Sequence, residues 1–381
     1  MITNRYFTVF TKKLFSLLTL SAVFLTASVS HAQETDIDMV AFPIIESSPD
    51  TGFVLGALGM LLFTPKDDSN LKSDEIELMG WYSIRNQYES ELSYKKHIAN
   101  GRFYNYGSFL TSYYPTVFYG TGSKTSNSET EIIEPETYSV VQGIVYSISE
   151  NLYAGLNYRF IYFDVNNIKN GGIFEREELT GITNTYVSSP GLTVIYDTRN
   201  SEYYPSQGFY AEFDFSVNNN MFGASNNCTR TSVDLRHFLN IYKNEYILGL
   251  QFKAVNQSGE IPFALYEGIG GEELLRGYPV SRYIDKCKYG AQTEFRYPLF
   301  FLHSLASRNL SFLRNFSGAI FTGFGNVAPT ITDFKTKTTR FAYGIGIRYA
   351  VIEEEKINLK IDFTMNRENE FDFYIGFKEA F

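Results

Sequence analysis

The sequence predicts an all-β protein, a single 16-stranded antiparallel transmembrane β-barrel behind a cleaved signal peptide, and three observations lead there. Apolar residues alternate with small or charged ones at a period of two. The plainest case is Phe371, Phe373, Ile375 and Phe377 interleaved with Asp372, Tyr374, Gly376 and Lys378. Aromatic residues make up 17% of the chain, with 29 Tyr and 34 Phe, while charged residues are 20% and mean hydropathy is −0.18. That is a heavy aromatic load for a soluble domain. Beyond the N-terminus no apolar run reaches the roughly 18 residues that a spanning helix needs. Strand alternation reconciles these facts, because it hides a lipid-facing band from a hydropathy average.

In chain order, Arg5, Lys12 and Lys13 precede the apolar stretch Leu14 to Ala27, and Ser30-His31-Ala32 stands before Gln33. This is the pattern of a secretory signal over residues 1–32, cleaved after Ala32, which leaves the barrel as 33–381. Losing those three cations moves the net charge from −9 to −12, and so acidic a chain is no nucleic-acid binder. Sixteen alternating runs follow, at 38–47, 52–63, 74–85, 88–97, 102–113, 137–148, 152–164, 187–197, 208–218, 229–240, 245–255, 286–298, 316–324, 340–350, 356–365 and 371–381. Most have the length a tilted strand needs to cross the hydrocarbon layer. In the fourteenth, Phe341, Tyr343, Ile345, Ile347 and Tyr349 share a face. In the fifteenth, Ile357, Leu359, Ile361 and Phe363 do so against Asn358, Lys360, Asp362 and Thr364. Charges on the minor face fit a wet lumen better than a dry sandwich core.

An even strand count puts both chain ends in the periplasm. The long connections at 114–136, 165–186, 219–228, 256–285 and 325–339 then fall outside the cell, and the tight turns at 97–101, 150–151 and 242–244 fall in the periplasm. Two periplasmic links, 64–73 and 299–315, are longer than the rule expects.

Chemistry is sparse. His97, His237 and His303 have no ligand-like spacing, and no phosphate loop, CxxC or HExxH occurs. No catalytic residue, metal or cofactor is expected. Cys228 and Cys287 are both placed on the oxidising, extracellular side, one strand apart, as either two free thiols or a bridge between loops. Glu77, Glu89, Glu91, Lys95, Arg159, Glu212, Asp214, Asp234 and Arg236 read as a solvated pore wall, or more sharply as a selectivity filter.

One segment exceeds what a barrel requires: Gly268-Ile269-Gly270-Gly271-Glu272-Glu273-Leu274-Leu275-Arg276-Gly277-Tyr278-Pro279. It resembles the sixth-loop signature of the BamA/TamA superfamily of outer-membrane barrels, with Leu275 in place of that family's Val or Ile. Ser48-Pro49-Asp50-Thr51-Gly52, Asp197-Thr198-Arg199 with Pro205 and Gly208, and a terminal strand ending in Phe381 are similar in order. The resemblance implies a loop at about 256–285 folded into the lumen, with Gly270, Gly271, Leu275, Arg276, Gly277 and Tyr278 as its motif. It also implies a terminal assembly signal at Phe377 and Phe381, and a seam between first and last strands.

Two departures matter. Members that assemble other barrels carry POTRA domains before the barrel, and the chain is expected to lack them. The family's thirteenth strand offers a Phe-x-Asp acid to the loop arginine, whereas Phe321-Thr322-Gly323 stands here. Glu294, on the inward set with Lys288, Gln292 and Arg296, is then the expected partner of Arg276. The implied function is assistance to protein insertion or translocation at the outer membrane. A passive channel, a lipid-handling barrel or a structural surface antigen is the alternative. The implied partners are the outer-membrane bilayer, the barrel-assembly machinery during biogenesis, and protein clients or periplasmic subunits.

Overall fold

The computed structural model describes residues 35–48, 51–65, 73–202, 204–306, 310–352, 357–377 and 379–381. The expected signal peptide, and Pro49 and Asp50 of the first hairpin, lie outside the described residues.

Sixteen barrel strands are present: β1 Thr35–Ser48, β2 Gly52–Pro65, β3 Asp74–Ser83, β4 Tyr88–Ile98, β5 Phe103–Tyr113, β6 Glu131–Ser149, β7 Leu152–Asn166 and β8 Thr185–Asp197, then β9 Gly208–Asn218, β10 Cys228–Tyr242, β11 Tyr246–Gly259, β12 Cys287–Pro298, β13 Phe316–Ala328, β14 Arg340–Ile352, β15 Ile357–Asn366 and β16 Phe371–Phe377. Each alternating run of the sequence overlaps one of them. Every ladder is antiparallel and joins sequence neighbours, from β1–β2 through to β15–β16. Among the described residues no paired register joins β16 to β1, although the two strands lie side by side and nearly close the barrel.

The two faces sort as period two demands. Ile345 is 59% exposed on the outer face, while its neighbour Gly344 and the inward Lys360 are buried. The bilayer solvates the outer face, whereas the chain itself occupies part of the lumen and leaves a cavity beside Lys95, Tyr106 and Glu212. Part of that filling is polar: Asp234 pairs with Arg236 at 2.8 Å and is nearly buried, and Lys95 pairs with Glu75 at 3.5 Å. The lumen wall is therefore a paired network in these stretches and not an open solvated pore.

The extracellular end is capped. Phe118, Ile133, Phe163, Val165, Phe174 and Phe263 form one apolar cluster drawn from four separate connections and strand ends. A short strand, Thr116–Phe118, pairs with the extended start of β6, which explains why β6 begins six residues earlier than its alternation suggests.

The chain's end differs from expectation. Period two would carry the last strand to Phe381 with that ring on the lipid face, but β16 stops at Phe377 and residues 379–381 turn inward. Phe381 is 5% exposed, stacked 6.0 Å from the inward-facing Phe238. Partners inside the lumen outcompete the continued ladder: Glu379 meets Arg348 at 2.9 Å and accepts a 2.8 Å hydrogen bond from Asn358. The side chain of Phe377 lies outside what is described.

Ile345→Arg should destabilise the refolded barrel by roughly 2–4 kcal/mol through charge at the lipid face, whereas Ile345→Leu should cost far less. Urea titrations in vesicles would check this, and equal costs would shift the assigned register by one residue.

Candidate functional site: the lumen-folded sixth loop

Between β11 and β12 the chain enters the barrel. A small antiparallel hairpin, Glu267–Ile269 with Tyr283–Asp285, forms the loop's stem. Glu267 is its anchor: Arg230 of β10 and Lys288 of β12 each approach it to 2.9 Å. Burial works against its charge, but these two cations overcome that and hold its carboxyl down to about 2.

Below the stem the motif folds back on itself. Gly270 and Gly277 have φ of +118° and +114°, a region L side chains rarely adopt. A Cβ at Gly270 would meet the Pro279 carbonyl at 2.0 Å. The Gly270 N–H donates to Leu274 O at 3.1 Å and that of Gly271 to Tyr278 O at 2.9 Å. Leu275, expected only as a stand-in for a β-branched residue, has φ +69° and is 2% exposed. β-branched side chains tolerate that backbone worst. Its side chain joins Ile269, Leu274, Tyr278, Tyr283, Val327 and Ala342 in one apolar cluster between loop and wall.

Arg276 projects from the tip into a buried charge cluster. One guanidinium nitrogen reaches Glu294 Oε2 on β12 at 2.7 Å and the other reaches Asp362 Oδ2 on β15 at 2.6 Å. Its plane lies 3.6 Å above the ring of Phe321, a stacked arrangement that desolvation strengthens. Glu294 also binds Arg296 at 2.8 Å and Arg348 at 3.3 Å, and Asp362 closes the circuit by pairing with Arg348. Glu379 of the inturned tail contacts Arg348 at 2.9 Å and Arg296 at 3.9 Å. Three cations, Arg276, Arg296 and Arg348, thus face three carboxylates, Glu294, Asp362 and Glu379, all essentially without solvent exposure. Lys360 adds a separate tie to Glu272 at 2.7 Å.

Neutral hydrogen bonds fix the rest of the tip. Asn366 donates to Gly277 O at 2.8 Å, Gly277 N–H donates to the Tyr374 hydroxyl at 3.2 Å, and that hydroxyl donates to Tyr278 O at 3.1 Å. The Tyr278 hydroxyl in turn donates to Glu368 at 2.6 Å.

The structure brings together Arg276, Gly277, Tyr278 and Glu294 from the expected set. Sequence reasoning missed Asp362, Arg348, Glu379 and Tyr374. Gly323 stands where the family's acid is expected, and a carboxylate reaches the arginine instead from β15, two strands further on. The available signal was Asp362 on the inward face of its run, but alternation alone does not say which lumen charge lies level with the loop tip. The cysteines stay apart: both are buried free thiols, with β11 between their strands, and the Cys287 thiol donates to Asn256 Oδ1 at 3.5 Å. Among the described residues no cluster of His, Cys, Asp or Glu is arranged to hold a metal.

An antiparallel 16-stranded barrel of outer-membrane type, with an arginine-tipped loop clamped inside its lumen, is the class of protein that these features define. The Omp85 superfamily domain matches residues 82–377, and the chain belongs to that superfamily. Among solved structures, BamA from Haemophilus ducreyi lacking POTRA domains 1–3 is similar with a TM-score of 0.60 at 12% identity, over 91% of this chain and 70% of that one. CdiB from Acinetobacter baumannii is similar with a TM-score of 0.57 at 11% identity, over 91% of this chain and 65% of that one. CdiB from Escherichia coli follows at 0.56 and 8%, over 91% and 68%. At such identities the likeness is one of fold. No curated protein sequence matches the chain.

Arg276→Ala should leave two buried carboxylates poorly compensated and destabilise the loop-closed barrel by about 3–5 kcal/mol. Asp362→Asn should produce a smaller loss because Glu294 still holds the arginine. The double variant should fall short of the sum, since a shared contact is lost once. Limited proteolysis of the loop and urea unfolding would measure this cycle, and strict additivity would refute the pairing.

A pH dependence follows from the stem. Burial raises the Asp285 carboxyl from 3.8 to about 6. A folded state that holds the proton more tightly is favoured at low pH, and this contribution is fully present below about pH 4 and lost as pH rises through 6. Asp285→Asn should therefore increase hydrogen-exchange protection of residues 283–285 at pH 8 and flatten its change between pH 4 and 6. Protection that still falls over that window would assign the titration to another group.

Proposed function

We propose that this outer-membrane barrel acts on polypeptide clients, engaging an extended client segment at the seam between β1 and β16 and assisting its insertion into or passage across the outer membrane. The observation that carries this reading is the seam. β1 spans 14 residues and β16 seven, and these first and last strands of the sheet lie side by side with no register pairing them among the described residues. A junction of unequal strands at membrane depth is the place where the sheet separates at least cost, and a freed strand edge favours strand addition by another chain. Along β12 to β15 the lumen side is occupied by the loop tip and its six-membered charge cluster.

In this reading the loop is a brace. It holds β12, β14, β15 and the chain's tail as one unit, so that displacement concentrates at the seam. Periplasmic subunits and the barrel-assembly machinery are the partners expected to deliver and receive clients.

Photocrosslinkers placed in living cells at Met39 on β1 and Phe373 on β16 should capture nascent outer-membrane proteins, identified by mass spectrometry. The equally outward Leu156 and Leu192, on the far wall, should not. Equal capture from both walls, or none from the seam, would overturn the reading.

A further inference from the structure

We propose that the periplasmic link between β12 and β13 is an in-plane membrane anchor whose partner is the phospholipid of the periplasmic leaflet, with anionic headgroups preferred. The link takes 17 residues where the turns β4–β5, β6–β7 and β10–β11 take four, two and three, so its length is not set by chain reversal. It is built as a helical turn, Phe300–Leu305, and a 3₁₀ turn, Ser311–Asn315. These present Phe300, Phe301, Leu305, Leu310 and Phe312 outward at 57, 63, 62, 42 and 48% exposure. Five large apolar side chains on a segment outside the strands form a patch that water alone does not accommodate.

Continuity identifies the occupant. The Phe300 ring lies 6.2 Å from Tyr246, which is itself 6.2 Å from Phe295 and 6.1 Å from Tyr242. At the link's far end the rings of Phe316 and Tyr349 meet at 4.9 Å with a 53° tilt, and Asn315 donates to Ala350 O at 3.5 Å. The link therefore leaves and rejoins the aromatic girdle of the barrel's periplasmic rim, which is already the lipid interface. Polar groups are arranged to suit: the Ser304 hydroxyl donates back to Phe301 O at 2.8 Å, and Arg314 is exposed at the end of the 3₁₀ turn. Residues 299–317 contain Arg308 and Arg314 but no Asp or Glu, in a chain of net charge −9. An apolar face with a cation at its edge, here Arg314, is the signature of an element lying in the headgroup boundary of an anionic surface.

The chain has one tryptophan, Trp81, which makes the test direct. In Trp81→Phe/Phe301→Trp, the whole barrel is refolded into phosphatidylethanolamine and phosphatidylglycerol vesicles. The new indole should emit blue-shifted, be quenched severalfold more by lipids brominated at acyl carbons 6 and 7 than Trp81→Phe/Met221→Trp on the extracellular side, and resist aqueous acrylamide. Acrylamide quenching equal to that at position 221, with no response to bromolipid, would overturn the anchor and leave the patch to a protein partner. Because Phe301 is exposed and both replacements are aromatic, misfolding does not confound the readout. Native heat-modifiability of each variant verifies the fold.

Discussion

Arg276 sits between Glu294 and Asp362 with essentially no solvent, and much of the barrel's interior is arranged around that placement. A guanidinium removed from water needs acceptors in the plane of its fork and a weakly polar surface against its face. Two carboxylates from different strands supply the first, and Phe321 supplies the second. Those carboxylates need further cations, which Arg296 and Arg348 provide, and these in turn require Glu379 from the tail. The six groups balance in charge, so no member can be removed without stranding another. Replacing such a cluster by well-packed apolar residues is often neutral for stability. What it contributes is register: only one depth of loop insertion places Arg276 level with both acids.

Mechanical consequences follow from which strands take part. β12, β14, β15 and the residues after β16 are bound to the loop by charge, and Asn366 and Tyr374 bind its backbone by hydrogen bonds. This quarter of the wall behaves as one body. The extracellular apolar cap ties the opposite strands through Phe163, Phe174 and Phe263. Between these two braced regions lies the β1–β16 seam, where no register pairs the described residues. The inward turn of the tail ends β16 at Phe377. The same short segment that follows β16 thus supplies Glu379 to the charge cluster.

Local and tertiary information separate cleanly along the chain. Strand number, order and facing were legible because a membrane barrel imposes period two on every strand, and lipid on one side makes errors of register energetically severe. Ile345 facing lipid and Lys360 facing the lumen follow from parity alone. The loop motif was legible because glycines at Gly270 and Gly277 answer to backbone conformation, which is a local property. The end of β16 was not, since alternation continues through Phe381 and nothing local reports that Glu379 and Phe381 find better partners inside.

The sequence by itself therefore determined an antiparallel sixteen-stranded barrel, its lipid face, and an arginine-bearing loop too glycine-rich for a spacer. Only the tertiary structure decided what that arginine meets. Which inward residues lie at one height depends on the stagger of strands around a closed sheet, a sum over many registers that no single strand encodes. That stagger sets Asp362 beside Glu294 although 68 positions separate them in the chain. It allows β15 to supply the carboxylate that Gly323 does not, and it brings the tail of the chain under the same cluster.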